Sequence, residues 1–368
     1  MTAGTGVRDV GRDRLSLGEG NTPLVASRLI ATGLGVPELH FKLECNNPTG
    51  SFKDRFAAAE VRAMIAAGQR ACLATSSGNT GSALAAYCAR YGLMCHLFVT
   101  QETPLGKILQ ARAYGTRVYR VTGYGSDPRQ TAEIDEVLAG LARENNLRFV
   151  ISAFRYCPDS MDELGTASAE IVEQLGAAPD HVLVPVGGGG LLTALWRGFN
   201  RLYREERIDR LPKVHGVQPA GNPTVYAPWS RGERTIHPVE STTRISGLIV
   251  PFDVDASLAL GAIYESGGRA IAVSDEAIWE AQRSLAIGEG IYAEPAGAAS
   301  VAGLNEAVRS GWVARTDRIV CLITGHGFKD LASVESNTRL NPATLVSAHA
   351  IAGLIFTDPE SPAPVGAP

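Results

Sequence analysis

His181-Val182-Leu183-Val184-Pro185-Val186-Gly187-Gly188-Gly189-Gly190-Leu191-Leu192 is the stretch that decides the fold. Its first six residues form an almost continuous apolar run, without the polar alternation of a half-solvated strand. A short run of that kind suits a strand covered on both faces, as in a parallel sheet packed between helices. Four glycines follow, and a helix is expected over 191–203. A strand that turns through glycines into a helix N-terminus presents backbone N–H groups and the positive end of a dipole, enough to hold one phosphate monoester. The GxGxxG spacing of a dinucleotide site fails, because Leu192 and Thr193 stand where its last glycine would fall.

Outward from this junction the same alternation repeats. Towards the N-terminus the pattern predicts helices over 54–67, 79–91, 105–114 and 128–145, and strands over 72–75, 95–99, 117–121 and 148–152. A helix over 163–175 leads into the central strand. Beyond it come a strand over 214–218, helices over 256–266, 275–287 and 293–310, and a strand over 318–323. Strand and helix in turn imply right-handed crossovers and a mostly parallel sheet. The expected architecture is α/β, with two doubly wound units of different size that meet near 150–156.

Composition narrows the function. The chain has 368 residues, 34 basic and 38 acidic side chains, a net charge of −4 and 45% hydrophobic residues. A core of adequate size needs no metal or disulfide, and no basic excess is available to replace phosphate counterions on a nucleic acid. Six cysteines, at 45, 72, 88, 95, 157 and 321, form no CxxC pair and read as reduced core thiols, with no metal site. The opening MTAGTGVRDVGRDRLSL lacks the apolar stretch of a secretory signal, and no apolar run reaches bilayer length, so a cytoplasmic protein is expected. The ending SPAPVGAP reads as a tail. Forty glycines exceed the roughly 26 that usual frequency gives. Nine of them, Gly50, Gly78, Gly81, Gly187 to Gly190, Gly325 and Gly327, fall at segment ends expected to converge on one ligand.

Three further motifs stand at such ends. Asn47-Pro48-Thr49-Gly50-Ser51-Phe52-Lys53-Asp54-Arg55 places Lys53 at a helix start, where the dipole disfavours a cation and eases deprotonation. A lysine of that kind suits Schiff-base or general-base work. Ser76-Ser77-Gly78-Asn79-Thr80-Gly81 follows a strand and opens a helix, with hydroxyls and amides suited to a carboxylate. Thr324-Gly325-His326-Gly327 ends a strand, at the edge where open α/β sheets bind ligands. No P-loop, HExxH or GxSxG is present.

The segments NPTGSFKDR (47–55), SSGNTG (76–81), GGGGLL (187–192), EPAGAASVAGL (294–304) and ITGHGFKD (323–330), in this order, resemble the fold-type II pyridoxal-phosphate enzymes. Within this tryptophan synthase β superfamily the likeness is greatest to threonine synthases, and it runs from Gly18 to Asp330. The resemblance implies a smaller domain (55–153) inserted in a larger one (1–54 with 154–345), a tail over 346–368, and a homodimer. It implies pyridoxal 5'-phosphate as cofactor, carried by Lys53 as an internal aldimine beside Phe52. Asn79 would meet the pyridine 3′-oxygen, the amides of Gly187, Gly188, Gly189, Gly190 and Leu191 the phosphate, and the Thr324 hydroxyl the ring nitrogen. Ser76, Ser77 and Thr80 would receive the carboxylate of the substrate, a small amino acid with a β or γ leaving group, O-phosphorylated or O-acylated; Ser152 and Lys107 are further candidates to face it. The implied enzyme is a carbon–oxygen lyase of amino-acid biosynthesis.

The chain departs from the threonine synthase pattern at several places, among them the phosphate loop, which reads GGGG where synthases resemble GNGGN or GNAGN. Those enzymes resemble SxNPxRxxGQKT where this chain reads Ser152-Ala153-Phe154-Arg155-Tyr156-Cys157-Pro158, with Cys157 at the arginine position. Lys107 and Arg155 are candidate replacements for that arginine, and Phe56, where glycine is usual, is a candidate to reshape the pocket. Two alternatives stay open beside the synthase-like reading: a serine/threonine dehydratase, which GGGGLL favours, and a specialised β-replacement homologue. A protein that binds the cofactor without catalysis is opposed by the joint presence of Lys53, Asn79 and Thr324.

Overall fold

The computed structural model describes residues 15–76, 78–103, 105–124, 128–338, 343 and 345–348, and only the backbone of residues 105, 107, 128 and 337. The readings made above on the N-terminal segment 1–14 and on the C-terminal tail lie outside the described residues, apart from 346–348 of the tail. Ten strands are described: β1 (Leu24–Ala26), β2 (Leu39–Lys42), β3 (Ala71–Ala74), β4 (Met94–Thr100), β5 (Arg117–Val121), β6 (Arg148–Val150), β7 (His181–Pro185), β8 (Lys213–Pro219), β9 (Ala270–Val273) and β10 (Ile319–Leu322). They form a six-stranded sheet in the order β1-β2-β10-β7-β8-β9 and a four-stranded sheet in the order β5-β4-β3-β6. Every pairing is parallel except β1 with β2. The α/β architecture of two mostly parallel sheets, that of the fold-type II enzymes, is therefore as expected.

The central strand shows why an apolar run was needed. Val182 and Val184 of β7 face one hydrophobic core, with Phe56, Tyr87, Leu164 and Phe199, which joins the smaller sheet to the larger. Leu183 between them faces a second core with Phe41, Ile278, Leu304 and Ile319. Both faces of the strand are buried, so no position is left for a solvated residue.

Three strands were not anticipated. β2 carries Lys42, buried at 0% exposure, and a lysine hides the pattern of a buried strand. β1 and β9 are only three and four residues long, too short to show a period. The helix expected over 163–175 opens as a 3-10 turn, Glu163–Gly165, before the α-helix Thr166–Leu175. The strand expected over 148–152 stops at Val150, which frees Ser152 from the ladder.

This topology assembles the site. Parallel strands present their C-terminal ends on one side, and four of these ends lead into cavity-lining turns: Thr75 and Ser76 after β3, Ser152 after β6, Gly187 after β7 and Thr324 after β10. A fifth element is stitched to them. The Phe52 N–H donates to Thr324 O at 3.1 Å, and Ser51 pairs with Gly325 in an isolated bridge, so the helix Lys53–Ala66 starts beside the end of β10.

Candidate active site

A cavity of about 490 Å³ lies between the two sheets. Its walls include Phe52, Lys53, Ser76, Asn79, Thr80, Ser152, Gly187 to Gly190, Leu191 and Thr324. Ser77 and the side chain of Lys107 lie outside the described residues. Among the described residues, the candidate cofactor residues and the hydroxyls expected to face the substrate thus share one cavity.

Lys53 Nζ donates to Ser152 Oγ at 2.9 Å, and Ser152 Oγ is in turn 2.9 Å from Thr80 Oγ1. One hydrogen-bond chain therefore joins the lysine to the hydroxyls of the serine-rich loop. The Lys53 ammonium is pushed down to about 8, chiefly by burial, while the Asp255 carboxylate pulls it back up. The direction matches the sequence expectation, but burial is the larger cause. The Lys53 ammonium also stands 4.8 Å from the centroid of the Phe52 ring.

The glycine turn serves packing as well as ligand access. Gly189 has φ +100°, and a Cβ there would fall 2.7 Å from Asp255 O and 2.8 Å from the Ala259 methyl. A Cβ at Gly190 would meet Met161 Cε at 2.2 Å, whereas Gly188 has room. The turn is held from outside by Asp255, whose N–H donates to Gly188 O at 3.0 Å. The Asp255 carboxylate accepts the Phe154 N–H at 3.0 and 3.2 Å and is pushed up to about 6 by burial. The first amides of the helix Gly190–Arg204 have no acceptor within the helix and lie at the cavity wall.

Several expectations need correction. Gly50, Gly81, Gly325 and Gly327 do not line the cavity. A Cβ at Gly81 would lie 2.1 Å from Ser76 O, and one at Gly325 would lie 2.0 Å from Glu294 Oε1, so these glycines permit close packing behind the wall. Gly106 and Gly247 line it instead. Phe56 is fully buried in the core and does not reshape the cavity. Arg155 is exposed, with its guanidinium 5.6 Å from the Tyr156 ring, and is no replacement for the family arginine. Cys157 is fully buried, away from the cavity and under the influence of Glu60.

The structure adds Asp255, Glu294, Gln110 and Lys329 to the site. Asn79 Nδ2 donates to Glu294 Oε1 at 2.9 Å. Lys329 Nζ donates to Gln110 Oε1 at 2.6 Å, and no carboxylate among the described residues lies within ion-pair distance of it. An ammonium has three donors, so Lys329 keeps spare capacity at the cavity wall. Glu294 and Lys329 lie inside EPAGAASVAGL and ITGHGFKD, where the signal was present but unassigned. Asp255 and Gln110 belong to no motif.

A lysine deprotonable near neutrality, a glycine turn at a helix N-terminus and a buried Thr324 hydroxyl around one cavity fit pyridoxal 5'-phosphate, which needs an amine, a phosphate cradle and a partner for its ring nitrogen. Comparison with known proteins agrees. Residues 15–325 match the family described as pyridoxal-phosphate dependent enzyme. The threonine synthase of Methanocaldococcus jannaschii is 39% identical over 86% of this chain and 76% of its own length. That of Mycobacterium leprae is 37% identical over 87% of each. Among solved structures, a threonine deaminase from T.th. superposes with TM-score 0.66 at 27% identity, covering 83% of this chain and 92% of its own. Maize serine racemase reaches TM-score 0.73 at 21% identity, over 90% and 97%, a likeness of fold.

The chain belongs to the pyridoxal-phosphate dependent enzyme family, of fold type II. Within it the chain is a threonine synthase-like lyase, an enzyme of elimination and replacement on amino acids that depends on pyridoxal 5'-phosphate. Among the described residues, no helix is long and apolar enough to cross a membrane.

Proposed function

We propose that the chain removes the anionic oxygen leaving group of a small amino-acid O-phosphate and then adds water, with Lys53 as the group that moves the proton at the substrate Cα. The single observation that carries this reading is the chain Lys53–Ser152–Thr80, because it links the cofactor lysine to the loop suited to a carboxylate. In this reading Gly187 to Leu191 hold the cofactor phosphate, and Asn79 and Thr324 hold its ring. Ser76, Ser77 and Thr80 take the substrate carboxylate at the start of the helix Asn79–Arg90. The cofactor, when bound, supplies the electron sink for charge that develops at Cα. Burial keeps the freed Lys53 amine basic but neutral enough to accept a proton, and Ser152 holds that amine in place.

Lys329 supports the phosphate ester. With Lys53 engaged by the cofactor and the glycine turn by its phosphate, Lys329 is the remaining cation among the described wall residues. Lys107 shares this role in our reading. A dehydratase activity, releasing ammonia and an α-keto acid, is the second reading, and the run Gly187 to Gly190 with the 27% identity to a threonine deaminase favours it. The six free thiols support a reducing, cytoplasmic setting. A homodimer and domain limits of 1–54 with 154–345, 55–153 and 346–368 complete the proposal, and light scattering with limited proteolysis tests both.

The purified protein is expected to be yellow, and borohydride should fix the label on Lys53. A colourless protein without that label would overturn the site. Incubation with O-phosphohomoserine should release phosphate and threonine in equal amounts. Ammonia and keto acid from threonine, without phosphate release from the ester, would establish the second reading.

A further inference from the structure

Three of the six cysteines meet in one place. Cys72 is on β3, Cys95 is its register partner on β4, and Cys88 is on the helix Asn79–Arg90 that covers both strands. Their sulfurs all lie within 4.8 Å of one another, with Cys72 and Cys88 at 3.8 Å. The other three thiols are isolated, and burial pushes each of them up, Cys45 to about 12.

The separations have a chemical meaning. A metal–thiolate bond of about 2.3 Å puts three sulfurs of a planar trigonal site about 4.0 Å apart. The thiols come from three different elements, and the packing already holds them near that spacing. Among the described residues no fourth His, Cys, Asp or Glu ligand joins the group. Zinc, which closes its structural sites with four ligands, is therefore poorly served. A soft monovalent d10 cation takes three thiolates readily without a fourth ligand; three protons leave, and the loaded site carries a net charge of −2.

The cluster is also shallow. Cys95 is the second residue of β4, and Cys88 lies in the last turn of its helix, so the group sits just beneath the turn 91–93. The cluster therefore lies at the N-terminal ends of β3 and β4, whereas the cavity lies beyond their C-terminal ends.

We infer that Cys72, Cys88 and Cys95 form a three-thiolate site for copper(I). The ion arrives already reduced, no electron is transferred, and each thiol that becomes a ligand releases its proton. Coordination pins β3, β4 and the helix that begins at Asn79 to one another. The helix carries Asn79 and Thr80, and β3 leads into the turn with Ser76, so the ion stabilises the lobe without touching the cavity.

The full chain with its cofactor bound is titrated without oxygen with the coloured copper(I)–bicinchoninate complex. One copper(I) per chain should leave the chelator, and the thermal midpoint should rise with occupancy. Cys88→Ser and Cys95→Ser should each weaken binding at least 100-fold and abolish the thermal shift, while Cys157→Ser keeps both. X-ray absorption of the copper-loaded wild type should give three sulfurs at about 2.2–2.3 Å, a measurement that needs no variant to fold. Copper left on the chelator, a shell of two sulfurs or of nitrogen and oxygen, or binding retained in both serine variants would overturn the site. None of these outcomes depends on which amino acid the enzyme consumes, so failure here leaves the proposed activity standing.

Discussion

Lys42 and Lys53 are both taken out of water, and burial depresses both, yet the two lysines end in different chemical states. Lys42 Nζ uses all three donors, to Thr22 O at 2.7 Å, Glu170 Oε2 at 2.6 Å and Gln174 Oε1 at 3.0 Å. Glu170 and Glu44 pull it back towards the charged form. Lys53 has one hydroxyl partner, and only Asp255 pulls in that direction. Desolvation alone does not make a lysine reactive; the missing ion pair does. Arg55, two residues along the same helix, belongs to the Lys42 side. It meets Glu44 at 2.7 and 2.8 Å and Glu170 at 2.6 and 2.8 Å. The first turn of one helix thus sends one cation into a closed network and another into the cavity.

Substitution should separate the two roles most sharply at Lys53. Lys53→Ala is expected to lower turnover by at least about 10³-fold and to abolish the borohydride label, without the loss of stability expected of a Lys42 variant. Lys42→Met should do the reverse and lose stability while keeping the label on Lys53. If Lys42→Met also removed the label, the two lysines would not be distinct.

Arg55→Met tests the closed network by the next largest effect. It leaves Glu44, which is fully buried, and the partly buried Glu170 without their main partner, and a buried pair broken on one side costs about 3–5 kcal/mol. Urea denaturation should show the loss, with a smaller one for Glu170→Gln because Arg55 still faces Glu44. A cost below about 1 kcal/mol would mean that the network contributes little to the fold.

The contrast also explains what was legible in the sequence. Alternating apolar runs and glycine stops marked seven of the ten strands, and the loops at their ends led to Lys53, Asn79, the 187–190 turn and Thr324. These signals are local, so a reading of neighbours in sequence can find them. The closed network is assembled from residues 22, 42, 44, 55, 170 and 174, whose polar and charged side chains look like ordinary surface residues until the fold joins them. Lys42 then conceals β2 by placing a charge where a buried strand should be apolar. Asp255 and Gln110 were missed for the same reason, since each acts across long sequence separations on Phe154, Thr49 and Lys329.

Lys329 is the intermediate case, a cation lowered by burial and held towards its charged form by Glu294 and Asp54. Among the described residues its ammonium donates to the neutral Gln110 amide alone. If its spare donors take an anionic leaving group, Lys329→Met should raise KM for O-phosphohomoserine about tenfold, the equivalent of roughly 1.4 kcal/mol. The change for O-acetylhomoserine, whose ester carries no charge, should be much smaller. Equal effects on both esters would show that Lys329 shapes the cavity without reading charge.

The finest test uses pH on the cofactor-free chain. Lys53 titrates near 8 when folded, below its ordinary 10.5, so the unfolded chain binds the extra proton between those values. Stability should therefore rise with pH through that window and be reduced in full below about 8, a dependence that Lys53→Met removes. Capture of added pyridoxal 5'-phosphate, followed by its visible absorbance, needs the free amine and should gain rate up to about pH 8 and then level. Asp255 is the one charge that holds Lys53 up, so Asp255→Asn should move that midpoint lower, whereas Glu170→Gln should leave it in place because Glu170 acts on Lys42. A midpoint that moved with Glu170 and not with Asp255 would reverse the assignment of the two carboxylates to the two lysines.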